Sequence, residues 1–331
     1  MARPRAAPPR RPRRPLVAAL AAAVLLIAAC TGQPAPPPQG APTPPAPATT
    51  TAAPSTAAPA QATVTIVGDI MLGRRVAPVA ARDGDPVAPL RPMAPLLRSA
   101  DVTIGNLEST LSRAGAPRQG KDSFAAPASV AGGLAGLGFD VLTLANNHVG
   151  DFGPAALRQT VQGVKEAGIA PLGAGDHDKQ AWAPVVVESN GLRIGLLAFN
   201  AIGESPPAGR TPGVASFRMR PRTGQVRPAE LATLTGRVRE LAARADVVIV
   251  LPHWGDQYTH RPVPDQSRVG RALIDAGATV VVGGHPHWVQ QIEQHGSGFI
   301  VHSLGNFVFD MDFSRQTREG AALTMTFRGD R

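Results

Sequence analysis

The chain has 331 residues, a formal net charge of +9 and a single cysteine. Six arginines in the first fourteen residues account for two thirds of that charge, and no acidic residue precedes Asp69. No basic stripe with interleaved aromatic residues follows, so the charge does not indicate nucleic-acid binding. One cysteine excludes an internal disulfide and a metal site built from several thiolates.

An export signal is the first predicted element. Residues 16–29 are uncharged and mostly apolar, and this run is too short to span a bilayer but typical of a signal-peptide core. It ends in Ile27-Ala-Ala-Cys30, which resembles the bacterial lipobox. We predict a lipoprotein signal peptide over residues 1–29, lipidation of Cys30 and an extracytoplasmic, membrane-anchored protein. An ordinary secretory signal, or a twin-arginine signal at Arg13-Arg14, is the alternative.

A spacer follows the cysteine. Residues 31–61 contain only Pro, Ala, Thr, Gln, Gly and Ser, a composition that cannot bury enough apolar surface to fold. We predict a disordered Pro/Ala/Thr linker over residues 30–61, which would reach on the order of 90 Å when extended as polyproline.

Residues 62–331 have the size of one α/β domain, in which apolar strands alternate with polar loops and helices. Strands are predicted at residues 63–68, 101–105 and 139–145. Polar residues follow them directly, in the order Asp69, then Asn106-Leu-Glu108, then Asn146-Asn147-His148. Each could be a helix cap or turn residue by itself, but three successive strands with such ends favour a common site.

A helix is predicted at about residues 154–168, and a hairpin then turns at Asn190-Gly191, a pair that favours a type I′ turn. Residues 200–228 are rich in Gly, Pro and Arg and predict a long loop near the site. Its arginines could meet an anionic substrate or face solvent; they are Arg210, Arg218, Arg220 and Arg222. A helix at residues 229–244 follows.

Two β-branched runs, residues 245–252 and 278–284, predict strands buried on both faces, separated by a helix at residues 266–276. The first run delivers His253, and the second delivers His285 and His287. Ligands of open α/β sheets gather at the carboxyl ends of strands. Further strands are predicted after Gly298 and over residues 321–328.

The strand ends therefore combine carboxylate, amide and imidazole donors. This set suits borderline divalent ions such as Mn²⁺, Zn²⁺ or Fe²⁺, and one or two of them are predicted. Two ions would need a bridging carboxylate, and a metal pair suits phosphoryl transfer.

The ordered motifs resemble those of the calcineurin-type metallophosphoesterase superfamily. Within it they resemble the poly-γ-glutamate capsule synthesis (CapA-like) family, and six motifs between Gly68 and Phe309 carry this resemblance. They are Gly-Asp-Ile-Met-Leu-Gly-Arg, Gly-Asn-Leu-Glu-Ser, Ala-Asn-Asn-His, Pro-His-Trp-Gly, Gly-His-Pro-His and His-Ser-Leu-Gly-Asn-Phe-Val-Phe.

The resemblance implies a four-layer α/β/β/α sandwich and a metal site with assigned roles. Asp69 and His287 would hold one ion, Asn147, His253 and His285 the other, and Glu108 would bridge them. His148 would be the acid that faces the leaving group, and substrate would contact Arg74, Asn106 and Asn306.

The chain departs from the superfamily pattern at two positions. Met71 stands where a ligating histidine is usual, and Glu108 replaces a bridging Asp. A thioether is a poor ligand for a borderline ion, so the Asp69 side is expected to bind metal more weakly.

Two classes of function remain. One is a tethered metal-dependent hydrolase or transferase that acts on a phosphate ester or on the anionic γ-glutamyl polymer in capsule or envelope synthesis. The other is a non-catalytic scaffold of a membrane synthesis complex, with a structural metal.

Overall fold

The structure is a computed structural model and describes residues 59–82 and 84–329. The predicted signal peptide, Cys30 and nearly all of the predicted linker lie outside the described residues. Within the described part of the chain, no helix is long and apolar enough to cross a membrane.

The described residues form strands and helices in alternation. The strands are β1 (Gln61–Ile70), β2 (Val102–Leu107), β3 (Val141–Thr143), β4 (Ala170–Leu172), β5 (Ala174–Gly175), β6 (Val185–Ser189), β7 (Leu192–Asn200), β8 (Gly213–Val214), β9 (Val247–His253), β10 (Val280–Val282), β11 (Ile292–His295), β12 (Gly298–Val301), β13 (Asn306–Val308) and β14 (Ala322–Arg328). The α-helices are α1 (Val76–Arg82), α2 (Ala94–Leu97), α3 (Val130–Leu137), α4 (Pro154–Glu166), α5 (Asp178–Ala181), α6 (Pro228–Ala242) and α7 (Pro264–Asp275). Short 3₁₀ helices cover Ala88–Met93, Gly120–Asp122 and Gln316–Arg318.

Two six-stranded sheets carry the fold. In the first sheet, β13, β1, β2, β3 and β4 are parallel neighbours in that order, and β14 pairs antiparallel with the first part of β1. In the second sheet the order is β11-β12-β10-β9-β7-β6, with parallel pairing from β12 to β7 and antiparallel strands at both edges. The predicted mixed α/β class with parallel sheets is confirmed.

Three apolar cores lie between the packed layers of the fold. One lies between the two sheets and includes Val64 and Ile104 of the first sheet with Ile194 and Ile249 of the second. A second core joins the first sheet to α3 and α4, and a third joins the second sheet to α6 and α7. The layer order is therefore helices, sheet, sheet, helices. Truncation of such a core Leu or Ile to Ala typically costs about 2–5 kcal/mol.

Local sequence explains where several elements begin and turn. The helices α4, α6 and α7 each start with proline in the first turn, where its missing N–H leaves no hydrogen bond unmade. Asn190 and Gly191 have φ values of +49° and +83°, the left-handed pair that a type I′ turn requires. The predicted hairpin is thus confirmed as β6 and β7.

Strand register aligns the carboxyl ends within each sheet. Asp69 of β1 lies beside Asn106 of β2 and Asn306 of β13. In the second sheet, His253 at the end of β9 lies beside Asn200 of β7 and bridges to Gly284 after β10. Because the sheets pack face to face, both sets of strand ends approach one place.

Candidate metal centre

Asp69 occupies the floor of the centre and is fully buried. Its Oδ1 accepts a hydrogen bond from Asn106 Nδ2 at 2.8 Å, and its Oδ2 accepts one from the backbone N–H of His285 at 3.2 Å. The second bond crosses from one sheet to the other. The carboxylate is therefore held in one orientation by groups 37 and 216 residues away in the chain.

Glu108 follows β2 and is also fully buried, but neither of its carboxylate oxygens has a hydrogen-bond partner among the described residues. Its Oε1 lies 3.7 Å from His253 Nε2 and 3.9 Å from both His148 Nε2 and His287 Nε2. A buried carboxylate without partners is strongly unfavourable, and one this close to His253 and His287 is placed to share a cation with them.

The second sheet supplies three buried imidazoles. His253 ends β9, while His285 and His287 follow β10 with φ values of +94° and +57°. Such left-handed backbone is costly for a side chain of this size and concentrates at functional sites. Both ring nitrogens of His285, and Nε2 of His287, are buried without a hydrogen-bond partner in the described residues.

The electrostatics of these groups bear on their capacity to hold a cation. Burial raises the pKa of Asp69 to about 6, and burial together with the Asp69 charge raises the pKa of Glu108 well above its usual range. Burial lowers the pKa of His287 to about 4 and holds the pKa of His253 and His285 well below the usual range of histidine. The neutral imidazoles are in the protonation state that a divalent cation requires, and a bound cation would stabilise the ionised carboxylates that burial disfavours.

The donors fall into two groups that share one carboxylate. Glu108, His253 and His285 form one group and Asp69, Glu108 and His287 the other, with all ligand atoms of a group within 4.8 Å of one another. Asn147 adds an amide oxygen, because its Oδ1 lies 2.8 Å from His253 Nε2. Two ligands about 2.1 Å from one ion and at right angles lie about 3 Å apart. The residues fit two borderline divalent ions, with Glu108 common to both.

His148 lies beside this centre with a partner that the sequence analysis did not assign. Its Nδ1 is 2.8 Å from Asp151 Oδ2, while its Nε2 faces Glu108. Asp151 is itself buried and accepts hydrogen bonds from the backbone N–H of Phe124 and the Gln119 side chain. A proton on Nδ1 therefore bonds to Asp151, and Nε2 is presented to the centre. In the sequence, the spacing of three residues between His148 and the carboxylate of Asp151 is the signal for this pairing.

Two residues predicted to contact substrate make hydrogen bonds that orient other side chains. Asn306 accepts a hydrogen bond from His287 Nδ1 at 2.9 Å and donates to the carbonyl of Thr317, which leaves His287 Nε2 as the free ring nitrogen. Asn106 donates to Asp69 and accepts from Asn146. Both Asn106 and Asn306 are buried with both side-chain polar atoms engaged, so each holds one of the candidate metal donors in place.

Arg74 and Met71 make their contacts with residues outside the two ligand groups. Arg74 pairs with Asp310 and Asp122, and its guanidinium lies 4.4 Å from the centre of the Phe124 ring. That ring in turn stacks on His148 at 3.8 Å. Met71 is fully buried in the core beneath α3 and α4, so its thioether takes no place among the ligands.

The centre also contains a residue that the sequence analysis missed. Glu204, in the loop after β7, accepts a hydrogen bond from Asn147 Nδ2 at 2.7 Å and pairs with Arg222. No spacing or motif in the loop marks this glutamate, because its position depends on how the loop folds against the second sheet.

Fold and site together define a mixed α/β protein. The carboxyl ends of strands from its two sheets meet at a candidate dinuclear metal centre. The sequence model of the family described as "Bacterial capsule synthesis protein PGA_cap" matches residues 63–311. The chain belongs to this family, which confirms the CapA-like assignment made from the motifs.

Individual proteins show the extent of the similarity. The chain is 32% identical over 271 residues to the capsule biosynthesis protein CapA of Bacillus anthracis, covering 80% of this chain and 64% of that protein. It is 31% identical over 263 residues to the PGA biosynthesis protein CapA of Bacillus subtilis (strain 168), covering 78% and 66%. The matches thus span slightly under two thirds of these relatives. A solved putative 5'-nucleotidase from Staphylococcus aureus, in complex with alpha-ketoglutarate, aligns with 73% of this chain and 48% of its own at a TM-score of 0.41 and 14% identity.

Proposed function

We propose that this chain is a metal-dependent hydrolase of phosphate-ester or related anionic bonds, working in capsule or cell-envelope polymer synthesis. The proposal includes an extracytoplasmic location, with the domain tethered to the cytoplasmic membrane through a lipid on Cys30. The substrate would be a phosphate ester or the anionic polymer itself, and a membrane synthesis complex is the natural partner. The names of the two CapA relatives support the capsule context.

One observation carries the proposal. Two groups of metal donors share the fully buried carboxylate of Glu108, which has no hydrogen-bond partner among the described residues, and a histidine backed by a carboxylate lies beside them. Mn²⁺, Zn²⁺ or Fe²⁺ held there would polarise a phosphoryl or acyl oxygen and activate water at neutral pH.

His148 has the position of a general acid. Asp151 accepts a hydrogen bond from the Nδ1–H of His148 and fixes the ring, so Nε2 points to the space beside Glu108. An imidazolium in this position gives its Nε2 proton to the leaving oxygen, and the Asp151 charge stabilises the charged ring before the transfer. Asn306 fixes His287 and Asn106 fixes Asp69 in the same way, so the acid and the metal donors are held by separate partners.

The test uses the full-length protein in detergent with its metal content measured. Hydrolysis of an alkyl phosphate, an aryl phosphate and poly-γ-glutamate is compared in His148→Ala, Asp151→Asn and the control His295→Ala, whose ring lies on the surface beside Asp275. Loss of a general acid should cost roughly 10²- to 10⁴-fold on the alkyl ester. The cost should be much smaller on the aryl ester, whose leaving group scarcely needs a proton, and metal content should remain.

Metal content separates an acid from a ligand. Asn147→Ala and His285→Ala should lose metal, whereas His148→Ala should keep it. If His148→Ala loses metal and stability together, His148 is a ligand or structural residue and the acid role is wrong.

A second candidate function is a non-catalytic envelope scaffold with a structural metal. It is favoured by the burial of the donors, none of which exposes more than 2% of its surface. Closed metal sites are typical of structural ions. A wild-type protein that binds metal but hydrolyses none of the three substrates would establish this function instead.

A further inference from the structure

The loop that follows β7 is anchored against the metal centre. The backbone N–H of Ala201 donates to the carbonyl of His253 at 2.8 Å, and the side chain of Asn200 donates to the carbonyl of Gly203. This short turn places Glu204 with a φ of +65° beside Asn147. Left-handed backbone at a glutamate persists only where surrounding contacts enforce it.

Glu204 determines which atom of Asn147 faces the donors. A carboxylate accepts hydrogen bonds and does not donate them, so the 2.7 Å contact with Glu204 Oε2 must involve the amide NH₂ of Asn147. The amide oxygen then points the other way, to within 2.8 Å of His253 Nε2. Glu204 is a positioning residue for a metal donor.

The other oxygen of Glu204 holds an arginine. Its Oε1 accepts a hydrogen bond from Arg222 Nη2 at 2.9 Å, and 37% of the Arg222 side chain is exposed. Within the described residues, Glu204 is the hydrogen-bonded ion-pair partner of this guanidinium, which has five N–H donors. Its charge also contributes to the lowered pKa of His285, after burial and the neighbouring His253 and His287.

The other arginines near the centre or in this loop are committed elsewhere or exposed. Arg74 is engaged by Asp310 and Asp122, and Arg218 faces Glu230 at the start of α6. Arg222 is thus separated from the donor Asn147 by one carboxylate and still has donors that face solvent.

We propose that Arg222 binds an oxyanion of the substrate, phosphate or carboxylate, at the rim of the metal centre. In this proposal Glu204 fixes the positions of the Arg222 and Asn147 side chains. A lone Glu204 would repel an anionic ligand, and its pairing with Arg222 removes that charge from the rim. A guanidinium suits this task because its planar fork bonds two oxygens of one anion. The inference rests on the proposed function, since it takes Asn147 as a metal donor.

Inorganic phosphate is the probe for Arg222. The full-length protein is loaded with Mn²⁺, its metal content is measured, and phosphate binding is followed by titration calorimetry. Arg222→Ala should weaken phosphate binding roughly 10- to 100-fold, as expected for a charge-assisted hydrogen bond, with metal content unchanged. Arg222→Lys should be intermediate because it keeps the charge and loses the fork. Arg218→Ala, which removes the same charge from the same loop, should bind phosphate like the wild type.

Metal affinity is the readout for Glu204. Glu204→Ala should weaken Mn²⁺ binding roughly 10- to 100-fold at one of the two sites, the usual cost of losing a partner that orients a ligand. Glu204→Gln should retain most of the affinity, because its amide oxygen can still accept the Asn147 hydrogen bond.

The outcomes separate the two proposals. A metal-loaded wild type that binds no phosphate, or an Arg222→Ala variant with wild-type phosphate affinity, overturns the role of Arg222 and leaves the metal centre standing. Equal losses of metal in Glu204→Ala and Glu204→Gln overturn the positioning role. A wild type that takes up no metal at all overturns this inference together with the proposed function.

Discussion

Replacement of Glu108 by Gln should change stability in opposite directions with and without metal. Glu108 is fully buried, its two oxygens lack partners in the described residues, and burial together with the Asp69 charge raises its pKa. Glutamine keeps the size of the side chain and removes its charge. The substitution therefore separates the need for an ion from the need for packing.

Without metal, the ionised Glu108 carboxylate destabilises the folded protein at high pH. The protonated form is tolerated, so the contribution of Glu108 to stability is intact below its ordinary pKa and is lost as pH rises through the raised folded-state pKa. Each unit of pKa displacement corresponds to about 1.4 kcal/mol of unfolding free energy. In chelator at about pH 8, we expect Glu108→Gln to melt at the wild-type temperature or above it.

With metal, the order should reverse. Free Mn²⁺ at 100 times its dissociation constant stabilises the wild type by about 2.7 kcal/mol per ion, which raises the melting temperature of a domain of this size by about 5–10 °C. Since Glu108 belongs to both donor groups, the variant should lose most of this gain.

Differential scanning calorimetry of both proteins, in chelator and in Mn²⁺, measures the reversal directly. Glu166→Gln on the exposed face of α4 serves as the matched control, because it makes the same chemical change away from the centre. Equal destabilisation by Glu108→Gln in both conditions would refute the reasoning, since it would show a structural role that does not depend on metal.

Three further predictions concern the same protein. Mn²⁺ should bind more tightly as pH rises from about 5 to about 7, because Asp69, with a pKa raised to about 6, and Glu108, with a pKa raised well above its usual range, must both lose a proton to bind, whereas His287, with a pKa lowered to about 4, is already neutral; constant affinity by calorimetry over this interval would contradict this. Gly284→Ala should deplete metal, because the new Cβ would lie 2.6 Å from Asp69 Oδ1, while Gly132→Ala, whose Cβ meets open space, should keep it; metal analysis of both variants decides. Cys30→Ala should leave the protein unprocessed or release it from the membrane fraction, and wild-type protein found wholly in the cytoplasm would exclude the anchor.

Much of the fold could be predicted because local pattern and strand burial agree. The β-branched run of β9 lies wholly buried between helices and the facing sheet, and the Asn190-Gly191 turn follows from the φ values that only such residues adopt readily. Strand ends were less certain. The third strand was predicted over residues 139–145 but covers only Val141–Thr143, because the pairing with β4 ends with the bond from the Leu144 N–H to the carbonyl of Leu172 while the apolar run continues to Ala145.

The site was predictable to the extent that its residues follow strands directly. The structure brings Asp69, Glu108 and the three histidines together, as their positions after parallel strands suggest. It also assigns Asn306 to His287 and Arg74 to Asp310. These pairings join residues far apart in sequence, and no periodicity records them.

Glu204 shows the same limit in a loop. Its contact with Asn147 spans 57 residues and depends on the conformation of a segment with almost no regular structure. Side chains that orient a donor carry no motif of their own, since their chemistry matters only in relation to a partner chosen by the fold.

The division of the donors between the two sheets has a consequence for folding. The first sheet contributes oxygen donors and the second contributes imidazoles, and the contact between Asp69 and His285 joins residues 216 positions apart. Neither half of the chain offers a complete coordination shell before the sheets dock, so a bound ion would act as a late cross-link that closes a very long loop. The ion would then be selected when the two sheets dock. The identity of the bound metal would depend on which ions were available in the compartment where the chain folded.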